Sequence, residues 1–504
     1  MLATVASATL RGVEGLPVRV EVHVSNGLPS FSIVGLPDTA CREARDRARA
    51  ALLSSGLSWP QRKITVNLAP SGVRKVGAGL DLAVALGVLV ADEQLPSTML
   101  EGRAFVGELG LDGAVKPVPG LVPMAMAIGL DELVVPEAAV HEAALVGRHQ
   151  VRGVGHIATL LDALLGRTPW PPLPPPPAID APAPAGDLAD VRGQPSARLA
   201  AEVAAAGGHH LLLLGPPGSG KTMLAERLVG LLPELQRPQA LEATIVHSAA
   251  GLPVPGQGLI VRPPLRAPHH SASAVALVGG GSGAVRPGEI SLAHHGVLFL
   301  DELGEFPSHV LELLRQPLES GDVVVARASG SYRFPARFLL VAAMNPCPCG
   351  EALRPGACRC GDGARMRYVR RLSGPLLDRF DLRVIVNRPP PGLVLGGPGE
   401  ETSSVVAERV RCARERALAR GVTANGELRA RKLDAAAPLR CDARRLLEKG
   451  LERGQLTARG VQRLRAVALT VADLAGREPP LTADDVATAL ALRAEPRLGE
   501  GVGA

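Results

Sequence analysis

An α/β multidomain protein built around a nucleotide-binding core is what this sequence predicts, and three observations predict it. Between residues 187 and 395, short and fully apolar runs alternate with helical patterns, the signature of a doubly wound sheet covered by helices on both faces. Two of those runs end in chemistry: Leu211–Leu214 leads into Gly215-Pro216-Pro217-Gly218-Ser219-Gly220-Lys221-Thr222, and Val297–Leu300 leads into Asp301-Glu302. The 504-residue length also exceeds a single core, because cores stop growing at about 250–300 residues.

Residues 1–166 read as α+β. Positions 19–24 alternate apolar and polar side chains with period two, as a half-buried strand does, and 63–68 repeat the pattern. Between them, 38–53 read as a helix opened by Pro37-Asp38-Thr39, and 80–91 form an apolar helix after a glycine-rich turn. The next segment, 167–186, carries Trp170-Pro171-Pro172-Leu173-Pro174-Pro175-Pro176-Pro177. Proline lacks the N–H that helices and sheets need, so this run extends as polyproline II and is expected to be a semi-rigid spacer. Residues 396–504 are rich in Ala, Leu and Arg with helical periodicity, and are expected to form a small helical domain.

Composition excludes several classes. With 46% hydrophobic and 21% charged residues the chain is globular, and 57 Gly with 45 Pro imply many turns. Aromatic residues make up only 2%, too few for base-stacking platforms of the single-strand-binding type. A net charge of +6 permits phosphate contacts but decides little by itself. No run is apolar enough to span a membrane, and the first residues lack the basic and apolar regions of a signal peptide, so a soluble, cytoplasmic protein is expected.

The glycine-rich turn is a Walker A loop. Its consecutive backbone N–H groups form a nest for phosphate oxygens, and the helix that follows adds its positive dipole end. In such a loop Lys221 reaches the β- and γ-phosphates of ATP and Thr222 holds Mg²⁺ through its hydroxyl. Asp301, at the end of an apolar strand, completes the Mg²⁺ shell, while Glu302 is placed to polarise the attacking water. A third apolar run, 338–345, ends in Asn345, a polar side chain able to orient that water. Arg379, in Leu377-Asp378-Arg379-Phe380-Asp381, is a candidate arginine finger; an internal Arg–Asp pair is the alternative reading.

Four of seven cysteines crowd together as Cys347-x-Cys349 and Cys358-x-Cys360. Four thiolates suit tetrahedral Zn²⁺, although these pairs are tighter than the commoner C-x₂-C spacing, and free thiols remain the alternative. Cys41, Cys412 and Cys441 are isolated and expected to be structural.

Four stretches carry a resemblance over nearly the whole chain. They are Arg266-Ala267-Pro268-His269-His270-Ser271-Ala272-Ser273, Arg286-Pro287-Gly288-Glu289-Ile290-Ser291-Leu292-Ala293-His294, Leu300-Asp301-Glu302-Leu303 and Asn345-Pro346-Cys347-Pro348-Cys349-Gly350. With them the chain resembles the magnesium-chelatase-like AAA+ ATPases, specifically the YifB/ComM family. The resemblance implies a homo-hexameric ring using ATP and Mg²⁺, with Asn345 as sensor 1, Arg379 as arginine finger and Arg459 in the helical lid as sensor 2. It also implies a helix-2 insertion over 248–285 and a hairpin over 322–334 that face a central pore. Arg266, His269, His270, Arg327 and Arg333 then become DNA-contact candidates, reading phosphates rather than base edges.

The N-terminal segment is similar to the Lon-protease-like domain, whose dyad is Ser–Lys. Matching 74–81 and 115–123 to the two catalytic segments puts Gly79 at the serine and Val122 at the lysine, so proteolysis by this dyad is excluded. The family resemblance implies a DNA motor of the helicase or branch-migration type, serving recombination or natural transformation. Two alternatives stay open: a chelatase-type remodeller of a protein partner, and a regulatory ATP-binding protein.

Overall fold

The structure, a computed structural model, describes residues 1–175, 186–254, 258–281, 284–327, 330–352, 356–394 and 399–494. Among them no helix is long and apolar enough to cross a membrane. The centre of the proline-rich run, 176–185, lies outside the described residues. Its leading end lies on the N-terminal unit, where the Arg152 guanidinium sits 5.2 Å from the centre of the Trp170 ring.

The N-terminal unit is a seven-stranded mixed sheet, ordered Ser30–Val34, Lys63–Ala69, Glu14–Ser25, Leu2–Arg11, Arg103–Phe105, Glu132–Pro136 and Gln150–Val154. Alternation in 19–24 belongs to a longer strand, Glu14–Ser25, which forms an antiparallel hairpin with Leu2–Arg11. The helix expected at 38–53 runs over Thr39–Ser54, and Asp38 caps it by accepting the Cys41 N–H at 2.8 Å. Asp81–Ala91 is buried along its whole length, as its lack of a polar face requires, between that sheet and Thr39–Ser54.

The second unit is built on a five-stranded, all-parallel sheet ordered Leu265–Arg266, Val297–Leu300, Leu339–Met344, Leu211–Leu214 and Leu382–Ile385. The three central strands are buried throughout, the condition under which strands lose alternation and read as continuous apolar runs. Their carboxyl ends all point to one edge, so Gly215, Asp301 and Asn345 emerge side by side there. Five α-helices follow in 403–491, of which Ser403–Ala419 and Ala458–Leu474 pack on Pro195–Gly207, helped by a paired contact from Arg409 to Glu202 at 2.6 and 3.1 Å.

The two units share buried surface. Val13, in the turn of the first hairpin, packs in one apolar cluster with Val323, Val325 and Phe334 of a second hairpin, Asp322–Arg327 with Gly330–Pro335. Nearby, Ser248 of helix Arg237–Ala250 accepts the Gly120 N–H on its carbonyl at 2.8 Å and the Val122 N–H on its hydroxyl at 3.3 Å. The Ser248 hydroxyl in turn donates to Glu142 at 2.6 Å, and burial pushes that carboxyl above its ordinary range. The segment holding Val122 is therefore a contact surface between the units.

Phe334 is fully buried at this junction, so Phe334→Ala removes a ring from the shared cluster. It is expected to cost roughly 3–5 kcal/mol. A fall in the thermal or denaturant midpoint measures it, and an unchanged midpoint would mean that the junction does not contribute to stability.

Candidate functional site

The Walker A loop is shaped by its glycines. A Cβ on Gly215 would stand 2.1 Å from the Val386 carbonyl oxygen, so no larger residue fits, and Gly220 takes φ +87°, which glycine adopts without strain. The helix Lys221–Val229 starts directly at the turn and aims its free N–H groups at the space above the sheet. Ser219 contributes a buried hydroxyl oxygen that has no partner among the described residues. A cradle of N–H groups, an orphaned hydroxyl and a lysine is the donor set that a polyphosphate requires.

Lys221 donates to the carbonyls of Gly215 at 2.8 Å and Pro216 at 2.9 Å, and to Asn345 Oδ1 at 3.2 Å. Burial lowers its pKa from the ordinary lysine value, and the carboxylates of Asp301 and Glu302 oppose that shift. Thr222 Oγ1 donates to Asp301 Oδ2 at 2.7 Å. That joins two Mg²⁺-coordinating oxygens of the usual P-loop arrangement, so the residues fit Mg²⁺ with a nucleotide. Asp301 Oδ1 also accepts the Glu302 N–H at 2.8 Å.

Glu302 holds φ +52°, a conformation that costs a non-glycine residue on the order of 1–3 kcal/mol. His270 Nδ1 lies 3.1 Å from Glu302 Oε2, and His270 also stacks on His269 with ring centres 4.0 Å apart. His270, grouped with the DNA-contact candidates on sequence, therefore faces the Glu302 carboxylate. Arg266 is likewise turned inward, in a two-pronged pair with Glu289 at 2.6 and 2.8 Å. His269 bonds the Ser271 hydroxyl at 2.7 Å. Arg333 pairs with Asp322 at the base of its hairpin yet stays exposed, and Arg327 is exposed on the opposite strand.

Arg379 is only 4% exposed, and its guanidinium pairs with Glu319. The internal pair foreseen as the alternative thus exists, with Glu319 in place of an aspartate. Arg463 holds this segment, donating to the Arg379 carbonyl at 3.0 Å and to Asp381 at 2.7 Å. Arg459 is exposed in the first turn of Ala458–Leu474, with no hydrogen bond or ion pair among the described residues. Gly79 offers no nucleophile: its carbonyl accepts the Gly107 N–H.

The cysteine cluster forms one pocket. Cys347 Sγ lies 3.3 Å from Cys349 Sγ and 3.6 Å from Cys358 Sγ, the last two are 3.6 Å apart, and Cys360 completes a set within 4.8 Å. These separations are far from a disulfide at about 2.05 Å and near the edge, about 3.8 Å, of a tetrahedron around zinc. The N–H groups of Glu351 and Arg359 bond Cys349 and pull its thiol down to about 6, while burial pushes Cys347 up to about 12.

Sequence reading missed a second polar cluster, Glu242 with His294 and His295, in which both Nε2 atoms meet one carboxylate oxygen at 3.0 and 2.7 Å. Its only sequence signal was the paired histidines before an apolar strand. His294 Nδ1 accepts the Arg337 N–H at 3.0 Å, so in the neutral ring the proton is on Nε2 and points at Glu242. A metal at Nε2 would need that proton gone, and the cluster is read as a hydrogen-bonded lock.

The description "Magnesium chelatase, subunit ChlI" fits residues 187–392, with related models over 20–139 and 400–493. A Mycobacterium tuberculosis protein of uncharacterized function is 47% identical over 97% of both chains. Competence protein ComM of Haemophilus influenzae is 42% identical over 99% of this chain and 98% of its own length. The uncharacterized protein YifB of Escherichia coli is 42% identical over the same shares. The 38 kDa magnesium-chelatase subunit of Rhodobacter capsulatus matches more narrowly, 30% identical over 36% of this chain and 49% of its own. From its P-loop sheet to its helical C-terminal region, the chain belongs to the YifB/ComM family of magnesium-chelatase-like AAA+ proteins.

Proposed function

We propose that this protein hydrolyses ATP and uses the energy to move on DNA as a homo-hexameric ring, in helicase or branch-migration work. One observation carries the reading: the insertion segment reaches the hydrolytic glutamate, through His270 and Glu302, while the neighbouring hairpin presents Arg327 and Arg333 to solvent. Two neighbouring elements, one touching the catalytic carboxylate and the other presenting cations to solvent, are what coupling requires. The competence name of the Haemophilus influenzae relative agrees with a role in natural transformation.

In this reading Lys221 and the N–H nest bind the phosphates, and Thr222 with Asp301 holds Mg²⁺, which supplies charge neutralisation when bound. Glu302 and Asn345 orient water, with Arg379 and Arg459 acting as finger and sensor 2 in the assembled ring. The N-terminal unit is a Lon-like scaffold with a non-catalytic dyad. The four cysteines hold a structural zinc ion.

His270→Ala is expected to release Glu302 and raise DNA-independent turnover about fivefold, the equivalent of one hydrogen bond of about 1 kcal/mol, with ATP affinity unchanged. Steady-state ATPase without DNA measures it; a fall in turnover would mean that His270 orients the glutamate productively.

Binding to a four-way junction tests the DNA reading, with affinity measured across a salt series in the presence of a non-hydrolysable ATP analogue. Arg327→Ala and Arg333→Ala are each expected to weaken binding evenly across sequences and to lower the salt slope by about one. No junction binding at low salt would remove DNA as the substrate and favour remodelling of a protein partner.

A further inference from the structure

The cysteine pocket lies at the crossing of all three nucleotide-binding segments. Asn345 is followed by an irregular excursion through the four cysteines that ends at the helix Asp362–Arg370. Among the described residues, the one backbone–backbone hydrogen bond inside 346–360 runs from Gly350 N–H to Cys347 O. Residues 353–355 lie outside those described.

This excursion touches each motif. Gly350 lies so close to Walker A that a Cβ there would stand 2.4 Å from Pro217 Cδ. Arg388 ties the two together, donating to the Pro217 carbonyl at 3.3 Å and to Glu351 at 2.9 Å. Beyond the last cysteine, Tyr368 is 4% exposed; burial raises the pKa of its hydroxyl, and the Asn345 backbone N–H opposes that shift. The same ring fills the space beside Gly304, where a Cβ would stand 2.3 Å from Tyr368 Cζ, two residues past Glu302. Arg371 closes the contact by donating to the Gly304 carbonyl at 2.7 Å.

The sulfurs are prepared as ligands. The backbone N–H groups of Cys349 and Ala352 favour the Cys347 thiolate, those of Glu351 and Arg359 favour the Cys349 thiolate, and the Cys358 thiol raises the pKa of the Arg365 guanidinium beside it. Such donors orient thiolates and offset the charge that four of them carry.

We propose that zinc held by Cys347, Cys349, Cys358 and Cys360 is a staple for the ATPase centre, fixing Walker A, sensor 1 and the segment after Walker B relative to one another through Gly350, Asn345 and Tyr368. The inference rests on the zinc reading and adds a role to it. The ion touches no substrate, and the cysteines are positioning residues for hydrolysis.

The test uses the full chain. Elemental analysis of the purified protein is expected to give one zinc per chain, and Cys349→Ser with Cys358→Ser is expected to lose it. The zinc-free variant is expected to keep its main unfolding transition, bind a fluorescent ATP analogue roughly tenfold more weakly and turn over about a hundredfold more slowly, since misplacing catalytic groups by on the order of 1 Å costs that much. Zinc removal from the wild-type chain with a mercurial and a chelator, followed by thiol and zinc, is expected to abolish and restore both properties, which covers a variant that fails to fold. Tyr368→Ala is expected to keep zinc while removing the ring packed beside Gly304, visible as lower turnover at unchanged zinc content. Protein without zinc, or with iron in its place, would overturn the zinc reading itself. One zinc per chain, with ATP affinity and turnover unchanged on its removal, would leave that reading standing and overturn the staple.

Discussion

Glu302→Gln is expected to lower ATP turnover by roughly 10²–10⁴-fold, the contribution of a positioned general base, while leaving ATP binding intact. The substitution removes the carboxylate but keeps the shape. It leaves the Walker nest, Lys221 and the contact from Thr222 to Asp301 untouched. The paired control is Lys221→Ala, which takes away the cation between the loop carbonyls and Asn345 and is expected to lose affinity as well as turnover. A fluorescent ATP analogue measures binding, and phosphate release measures hydrolysis. Equal loss of binding in both variants would contradict a catalytic role for Glu302. Wild-type turnover in the glutamine variant would assign the water to another group.

The second large effect concerns Arg379. An arginine supplied across a subunit boundary is worth about 10³–10⁵ in turnover, so Arg379→Ala is expected to abolish hydrolysis. Its side chain is buried against Glu319 within its own chain, and it must leave that pair to reach a neighbouring copy. Loss of activity alone would not separate a finger from a structural arginine. Mixing does: Arg379→Ala chains retain a complete Lys221–Glu302 site, and Glu302→Gln chains retain the finger. Together they are expected to recover hydrolysis that neither shows alone. If Arg379→Ala instead lowers the melting midpoint and mixing restores nothing, the pair with Glu319 is structural.

What was legible in the sequence follows a physical division. The buried strands of the parallel sheet announce themselves as apolar runs, and their ends name Gly215, Asp301 and Asn345 from pattern alone. Asp38 marks a helix start because its cap bond is local. Leu265–Arg266 is too short for any pattern, and the start of the first hairpin hides because Leu2–Arg11 has consecutive buried positions that break the alternation. Long-range partners leave no local signal. Neither His270 beside Glu302 nor Glu319 beside Arg379 could be read from spacing, and the same holds for Tyr368 against Gly304. The DNA-contact candidates show the same limit: Arg266 and His270 are basic in sequence, yet each faces a carboxylate of its own chain.

Phosphate release by the wild-type chain, measured at low salt with and without a four-way junction and with Lys221→Ala as the blank, tests the central claim most directly. A DNA-driven ATPase predicts hydrolysis that rises several-fold with junction concentration, saturates and disappears in the blank. Turnover that is indifferent to DNA, with no junction bound in the presence of ATP, would contradict it.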